Sequence, residues 1–484
     1  MPVVTVGHPI PGLTANERIG RLQLAFIGGR TGQVTVTSTQ QTQLVALGYV
    51  INPATPNYES PYVLDADLPT VLPAAIAAEV AKTTGPTATA LRAAFVPAIS
   101  IVGKGADPTG ATDSRAAIVA AITLAATSGL PVFVPKGTFR KDGAAIPIPS
   151  GVEVYGAGAT SIIKNGPSPT AAIFTNSDTA AGNNGIRLHH LKLDANGPSA
   201  SSGQFSVVEM DNLVACEFDQ LEVTGGRNDG VTAGSGSGLR IQRMTRSHIG
   251  RIYAHDVDYD GVLLGGCTDN VIDSVHGVDC KRNALQLSRY PIGSGTTPSL
   301  GNVVGRVIAE HSTGIPGGTS PTTGAVYFHN SQYNQVGEVF ADGVRMAVGG
   351  IGTDGGSCVG NIVGSVVART RYVTSAVIDW EGECYRNQIG RAVIRPISGA
   401  AGIYVRVVGP GSFNLFRSIH AFIGGGTGVW TVQLGANATD CDIEMIDAAG
   451  APSITDAGQR NLVRYTAAGQ LFVKKTGVAA VTVA

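Results

Sequence analysis

Six times between residues 269 and 421 the chain returns to one short pattern: DNVIDSVHG, GNVVGRVIA, YNQVGEVFA, GNIVGSVVA, RNQIGRAVI and FNLFRSIHA. With the asparagine as position zero, Asn270, Asn302, Asn334, Asn361, Asn387 and Asn414 follow one another at 32, 32, 27, 26 and 27 residues. The same phase reaches back through Ser247 and Cys216 to Ile186, and forward to Cys441. Position +2 is then always apolar, from Leu188, Phe218 and Ile249 to Phe416 and Ile443. Position +5 is apolar too, from Leu191 and Leu221 to Ile419 and Ile446, and position +7 favours alanine (254, 309, 341, 368, 421 and 448).

Positions +5 and +7 keep the period of two that a strand with one buried face requires. The step of three from +2 to +5 breaks that period and demands a bend, for which glycine at 305, 337, 364 and 390 offers backbone freedom. A further strand precedes each zero: GLRIQR, GVLLGG, NALQLS, AVYFHN, SAVIDW, GIYVRV and GVWTVQ. Each unit is therefore three short strands around a corner, too small to bury its own apolar face, so units must stack. About ten such units predict an all-β, single-stranded right-handed parallel β-helix. The spacing is too short for propeller blades, which need about 40–50 residues.

The asparagine fits a tight turn because it tolerates left-handed backbone, and stacked amides can hydrogen-bond into a ladder. A row of amides binding sugar is the functional alternative. Cys267, Cys358 and Cys384 stand three residues before a zero and form a column of their own, expected to pack as small apolar groups, with a disulfide between neighbouring coils as the lesser alternative.

Upstream, residues 105–165 run GADPTGATDS, an alanine-rich segment, VFVPKGTF, then GVEVYGAGATSIIKN. Asp113 is placed to cap a helix whose Ile118, Ala121, Ile122 and Ala125 make one stripe, with Gly129 closing it. This order resembles the opening of the pectate-lyase-like β-helix superfamily, above all phage tailspikes and tail fibre proteins, in which the helix lids the coil. The resemblance covers residues about 100–450 and implies a β-helix there. Residues 1–60 are read as a virion-attachment-like domain, 61–99 as a linker and helical neck (around TVLPAAIAAEVAKT), and 451–484 as a β-rich cap or oligomer contact. It further implies a homotrimer, joined to other phage tail proteins through the N-terminal domain, assembled in the host cytoplasm and carried in the virion.

Composition narrows the functions. A net charge of −1 with only 14% charged residues offers no basic field for nucleic acid. No apolar run reaches the roughly 20 residues of a membrane span, and MPVVTVGHPIPG lacks the pattern of a secretory signal. The six cysteines include no CxxC pair, and Walker A, HExxH and GxSxG are absent. DVDYDG at 256–261 imitates half a calcium loop, but its twelfth position is Cys267 where a bidentate glutamate is required. It reads as an acidic turn between coils, and His189 and His190 read as structural. Neither metal nor cofactor is expected.

Strand phase supplies the candidate site. In AVIDWEGE, inward Ile378 and Trp380 leave Asp379 and Glu381 on the outer face. One coil later Tyr404 and Arg406 fall in the same outward column, and two coils earlier Tyr327 and His329. Asp379 and Glu381 are the candidate catalytic pair, since glycoside cleavage needs two carboxylates. Tyr327, His329, Tyr404 and Arg406 are the candidate substrate-binding groups; in a lyase Arg406 would act as base. The competing expectation is an ion pair across neighbouring coils. With aromatics at 6%, the leading expectation is attachment to a host surface glycan, and the alternative is a tailspike depolymerase, hydrolase or lyase.

Overall fold

In a computed structural model, the described residues are 50–51, 58–59 and 98–483, apart from 200–202, 229–234, 292–296, 312–323, 354, 371–375, 397–402, 411–412, 422–430, 449–452, 468–469 and 477–480. The expected attachment domain and neck lie outside them, except for Val50–Ile51, which pairs antiparallel with Tyr58–Glu59, and for Ala98 and Ile99 at the end of the neck, where Ile99 pairs with Val132.

From residue 98 to about 467 the described residues form a right-handed parallel β-helix. Strands following each zero stack in parallel from Arg187–Asp194 through Val303–Glu310 to Leu462–Ala467. Strands preceding each zero form a second parallel stack from Ile146–Ile148 to Ser453–Asp456. The two parts expected after each zero form one continuous strand with a corner inside it. Val303–Glu310 alternates buried and exposed except at Gly305 and Arg306, which are both exposed.

The repeat columns become the core. From Leu188 to Ile443 every position +2 is at most 2% exposed, as is every described +5 residue from Leu191 to Ile419. Burying each large aliphatic in these columns contributes about 1.5–3 kcal/mol. The coil carrying Asp442–Ala448 departs from the expected register. Ile419 pairs with Met445, so the corner is one residue shorter there, and buried Met445 takes the level expected of Ile446.

Two expectations about the corner are corrected. Left-handed backbone belongs to the residue before each asparagine, as at Asp269 (φ 55°), Gly301 (66°), Tyr333 (53°), Gly360 (65°), Arg386 (57°) and Phe413 (58°). The glycines at +3 have no positive φ. They are needed because a Cβ on Gly305, Gly337, Gly364 or Gly390 would stand 2.6–2.7 Å from a carbonyl oxygen of the preceding coil. Close stacking, rather than a special dihedral, fixes glycine there.

The asparagine ladder does form. Each Nδ2 donates to the next Oδ1, at 2.8, 2.8, 3.0, 3.0 and 3.1 Å from Asn270 to Asn414. Each Nδ2 also donates to a backbone carbonyl, from Met244 O to Cys384 O. Each Oδ1 from Asn302 onward accepts the preceding asparagine's backbone N–H as well, so a fully buried amide leaves nothing unpaired.

Helix α1, Arg115–Ser128, buries Ala117 beside the predicted stripe and joins the same core, as a lid should. Gly129 closes it in left-handed geometry, its N–H bonded to Ala125 O. Its N-cap is Ser114, not Asp113; Asp113 accepts from Arg115 N at 2.9 Å from one residue further out. In the preceding loop Asp107 accepts from the backbone N–H and hydroxyl of Thr109 and of Thr112, which hold its carboxyl far below the usual range.

Beyond 450 the parallel coils continue through Ser453–Asp456 and Leu462–Ala467. The chain then turns antiparallel, with Gln470–Lys475 and Val481–Val483 added as a meander.

Candidate functional site

The strand Ile378–Gly382 carries the expected carboxylates with the expected phase. Ile378 and Trp380 are fully buried, and Trp380 stacks on Phe328 with ring centroids 5.7 Å apart. Gly350 makes room for the indole, since a Cβ there would meet Trp380 Cζ3 at 2.3 Å. Asp379 and Glu381 therefore face outward, and the next strand sets Arg406 level with Asp379.

Arg406 engages both acids. Its Nε donates to Asp379 Oδ1 at 2.8 Å and its Nη2 to Asp379 Oδ2 at 2.6 Å, while Nη2 also contacts Glu381 Oε1. Planar two-point pairing of this kind is the strong form of the interaction. Burial is the main influence on Asp379, whose side chain is 13% exposed, and it raises the carboxyl despite the opposing Arg406 hydrogen bond. Catalytic carboxylates of glycosidases stand about 5–5.5 or 6.5–9.5 Å apart with the scissile bond or its water between them. Here one guanidinium contacts both carboxylates.

The column continues through Gly349 to Tyr327, as the phase requires. Tyr327 is nevertheless only 5% exposed, and burial pushes its hydroxyl well above the usual tyrosine value. The Met346 thioether lies over Gly349, between the levels of Tyr327 and Asp379. His329 is half-buried beside the Thr353 hydroxyl and lies in the neighbouring column, level with Ile351 and Glu381. Tyr404 sits at a register shift between Ile403 and Val405, and its side chain lies outside the described residues. The structure thus joins Asp379, Glu381 and Arg406, and does not present Tyr327 to solvent beside them.

A second group of reactive side chains escaped the sequence reading. On the outer face between the core columns +5 and +7, Lys192 Nζ and His255 Nε2 meet Glu222 Oε1 at 2.5 and 3.2 Å. His255 Nδ1 lies 2.7 Å from Asp256 Oδ2. The Tyr253 ring stands between His255 and His276 at 5.0 and 5.2 Å, and His276 lies 3.6 Å from Glu310. Apart from Asp256 at +9, these are positions +6 and +8 of successive coils, and those two columns carry the signal in the sequence. Of the acidic turn, Asp258 pairs with Lys281 at 2.6 Å, whereas Asp260 is fully buried. His189 bridges Glu153 (3.1 Å) and His190 (2.8 Å), a structural arrangement.

Residues 98–267 match the family described as rhamnogalacturonase A/epimerase, pectate lyase-like. Among solved structures, the chain is similar to PfbA, a surface adhesin of Streptococcus pneumoniae, at 12% identity and a TM-score of 0.50, covering 80% of this chain and 98% of that one. It is also similar to the mannuronan C-5 epimerase AlgE6 A-module of Azotobacter vinelandii, at 14% identity and a TM-score of 0.42, with 76% and 99% covered. A third is ORF18 of Geobacillus virus E2, at 12% identity and a TM-score of 0.42, with 89% and 71% covered. No curated protein matches the chain. At 12% identity the likeness to PfbA shows the fold alone, and reaction and ligand have to be argued from the site.

Proposed function

We propose that the protein is a phage tail component, a tailspike or tail fibre protein that recognises the host cell surface and contacts its glycans without cutting them. The observation that carries this is the guanidinium of Arg406, which takes both candidate catalytic carboxylates at once. With both acids held by one cation, the strand Ile378–Gly382 offers a rigid polar surface rather than an open acid–base pair. PfbA, described as a surface adhesin, has the same fold, so the scaffold is compatible with attachment. In this reading the coils form a rod, residues 1–60 join it to the tail, and three chains assemble together. Sedimentation of the purified full chain should give an elongated trimer that binds cells of a susceptible host; a compact monomer would contradict the assignment.

The depolymerase reading has one observation in its favour: burial raises the Asp379 carboxyl, the direction expected of a general acid. It is tested by incubating host surface glycan with wild type, Asp379→Asn and Glu381→Gln. Product lost in the two variants establishes cleavage at this pair. Product equal in all three removes the pair from the site.

A further inference from the structure

We propose that Cys358 and Cys384 form a modification site, at which a low-molecular-weight disulfide converts the two thiols into a disulfide between successive coils. The strand pair Cys358–Val359 and Cys384–Tyr385 is parallel, with Cys358 directly level with Cys384. Neighbouring strands lie about 4.8 Å apart, inside the roughly 4.4–6.8 Å Cα window of disulfides. In-register side chains of parallel strands leave the backbone in the same direction, and here both are fully buried in the core, with Cys358 Sγ against Phe328 O and Ile351 O and Cys384 Sγ against Glu381 O, each at 3.1 Å.

The other cysteines lack this arrangement. The column three residues before each zero runs Cys267, Ser299, Ser331, Cys358, Cys384, so Cys267 meets a serine at the next level. Cys216 lies beside Ser247, and Cys441 beside Asn461. Among the described residues of this column, only at 358 and 384 do two cysteines occupy adjacent coils.

The reaction balances with the small disulfide as the two-electron acceptor. The Cys358 thiolate attacks one sulfur of RSSR and expels RS⁻, giving a mixed disulfide on Cys358. The Cys384 thiolate then attacks the Cys358 sulfur and expels the second RS⁻. Two thiol protons end on two RSH molecules, and two electrons pass from the cysteines to the reagent. Burial disfavours both thiolates, and the two sulfurs can exchange roles in these steps. Because both sulfurs are buried, the first step waits on transient opening of these coils, and mild denaturant should accelerate it. The product links the coil carrying Asp379 and Glu381 to the coil beneath it.

The test uses the full chain with glutathione disulfide as the probe. After incubation, free thiols are alkylated and the chain is digested and mapped without reduction. The expected result is a peptide pair joined through Cys358 and Cys384, absent from Cys358→Ser and from Cys384→Ser. Serine already serves at 299 and 331 in this column, so these variants keep the fold. Oxidised wild type should melt at a higher temperature than reduced wild type, with no such difference in either variant. Two free, alkylated thiols after exhaustive oxidation would overturn the proposal. So would glutathione adducts that never resolve into the 358–384 link.

Discussion

Two buried polar columns climb this helix, and they end differently. From Asn270 to Asn414 each amide gives and receives at every level, so one more asparagine extends the column without creating an unpaired atom. On the preceding strands, Asp260 and Asn283 start a similar column. Asn283 donates through its backbone N–H and Nδ2 to Asp260 Oδ1, at 3.0 and 2.8 Å. The next level is Gly324, and the column stops there. Asp260 Oδ2 and Asn283 Oδ1 are left buried without a hydrogen-bond partner among the described residues. An amide can propagate a ladder because it both donates and accepts, whereas an ionised carboxylate only accepts. Burial lifts the Asp260 carboxyl to about 7.

The comparison can be broken at its strong side first. Asn334→Ala removes one rung, strands the Nδ2 bond of Asn302 and frees the Ser299 carbonyl. The expected loss is about 3–4 kcal/mol, the sum of a few unpaired buried groups in a network, read as a lower urea midpoint.

At the weak side, Asp260→Asn should stabilise. The folded-state value is raised above the unfolded one, so the native state binds the extra proton. Wild-type stability must then fall as pH rises from about 4 to about 7 and level off above. The ceiling on that loss is about 4 kcal/mol, at 1.36 kcal/mol per pKa unit. Urea midpoints from pH 4 to 7.5 should show the slope in wild type and a flatter profile in the variant.

Arg406→Gln should cost about 2 kcal/mol, because the mostly buried Asp379 loses its cation. Its midpoint relative to wild type should recover on adding Asp379→Asn, which removes the stranded charge. The smallest effect concerns the turn before the ladder. Arg386 holds φ at 57° where glycine adopts that region freely. Arg386→Gly should therefore raise the melting midpoint slightly, by about 0.5 kcal/mol in stability.

Much of the scaffold was legible because stacking imposes a period. One register read from the asparagines located the core columns, the corner, the ladder and the outward phase of Asp379 and Glu381. The lid helix was legible from its stripe and from Gly129. Phase tells which way a side chain leaves the strand, however, and not what lies over it. Tyr327 leaves outward as expected and is still covered, and Asp260, placed in a turn by its neighbours, is buried. The shortened corner at Met445 was invisible because Ile446, one residue later, is equally apolar. The cluster around Glu222 and His255 was not legible because the outward +6 column changes residue type from coil to coil, from Lys192 and Glu222 to Tyr253, His276 and Ile308.

The central claim is attachment without cleavage, with Arg406 holding Asp379 and Glu381. The most direct measurement follows the chain length of surface polysaccharide from bound host cells during incubation with the full-length protein. Retention of the polysaccharide at unchanged length is the predicted result. Progressive shortening that disappears in Asp379→Asn would contradict it.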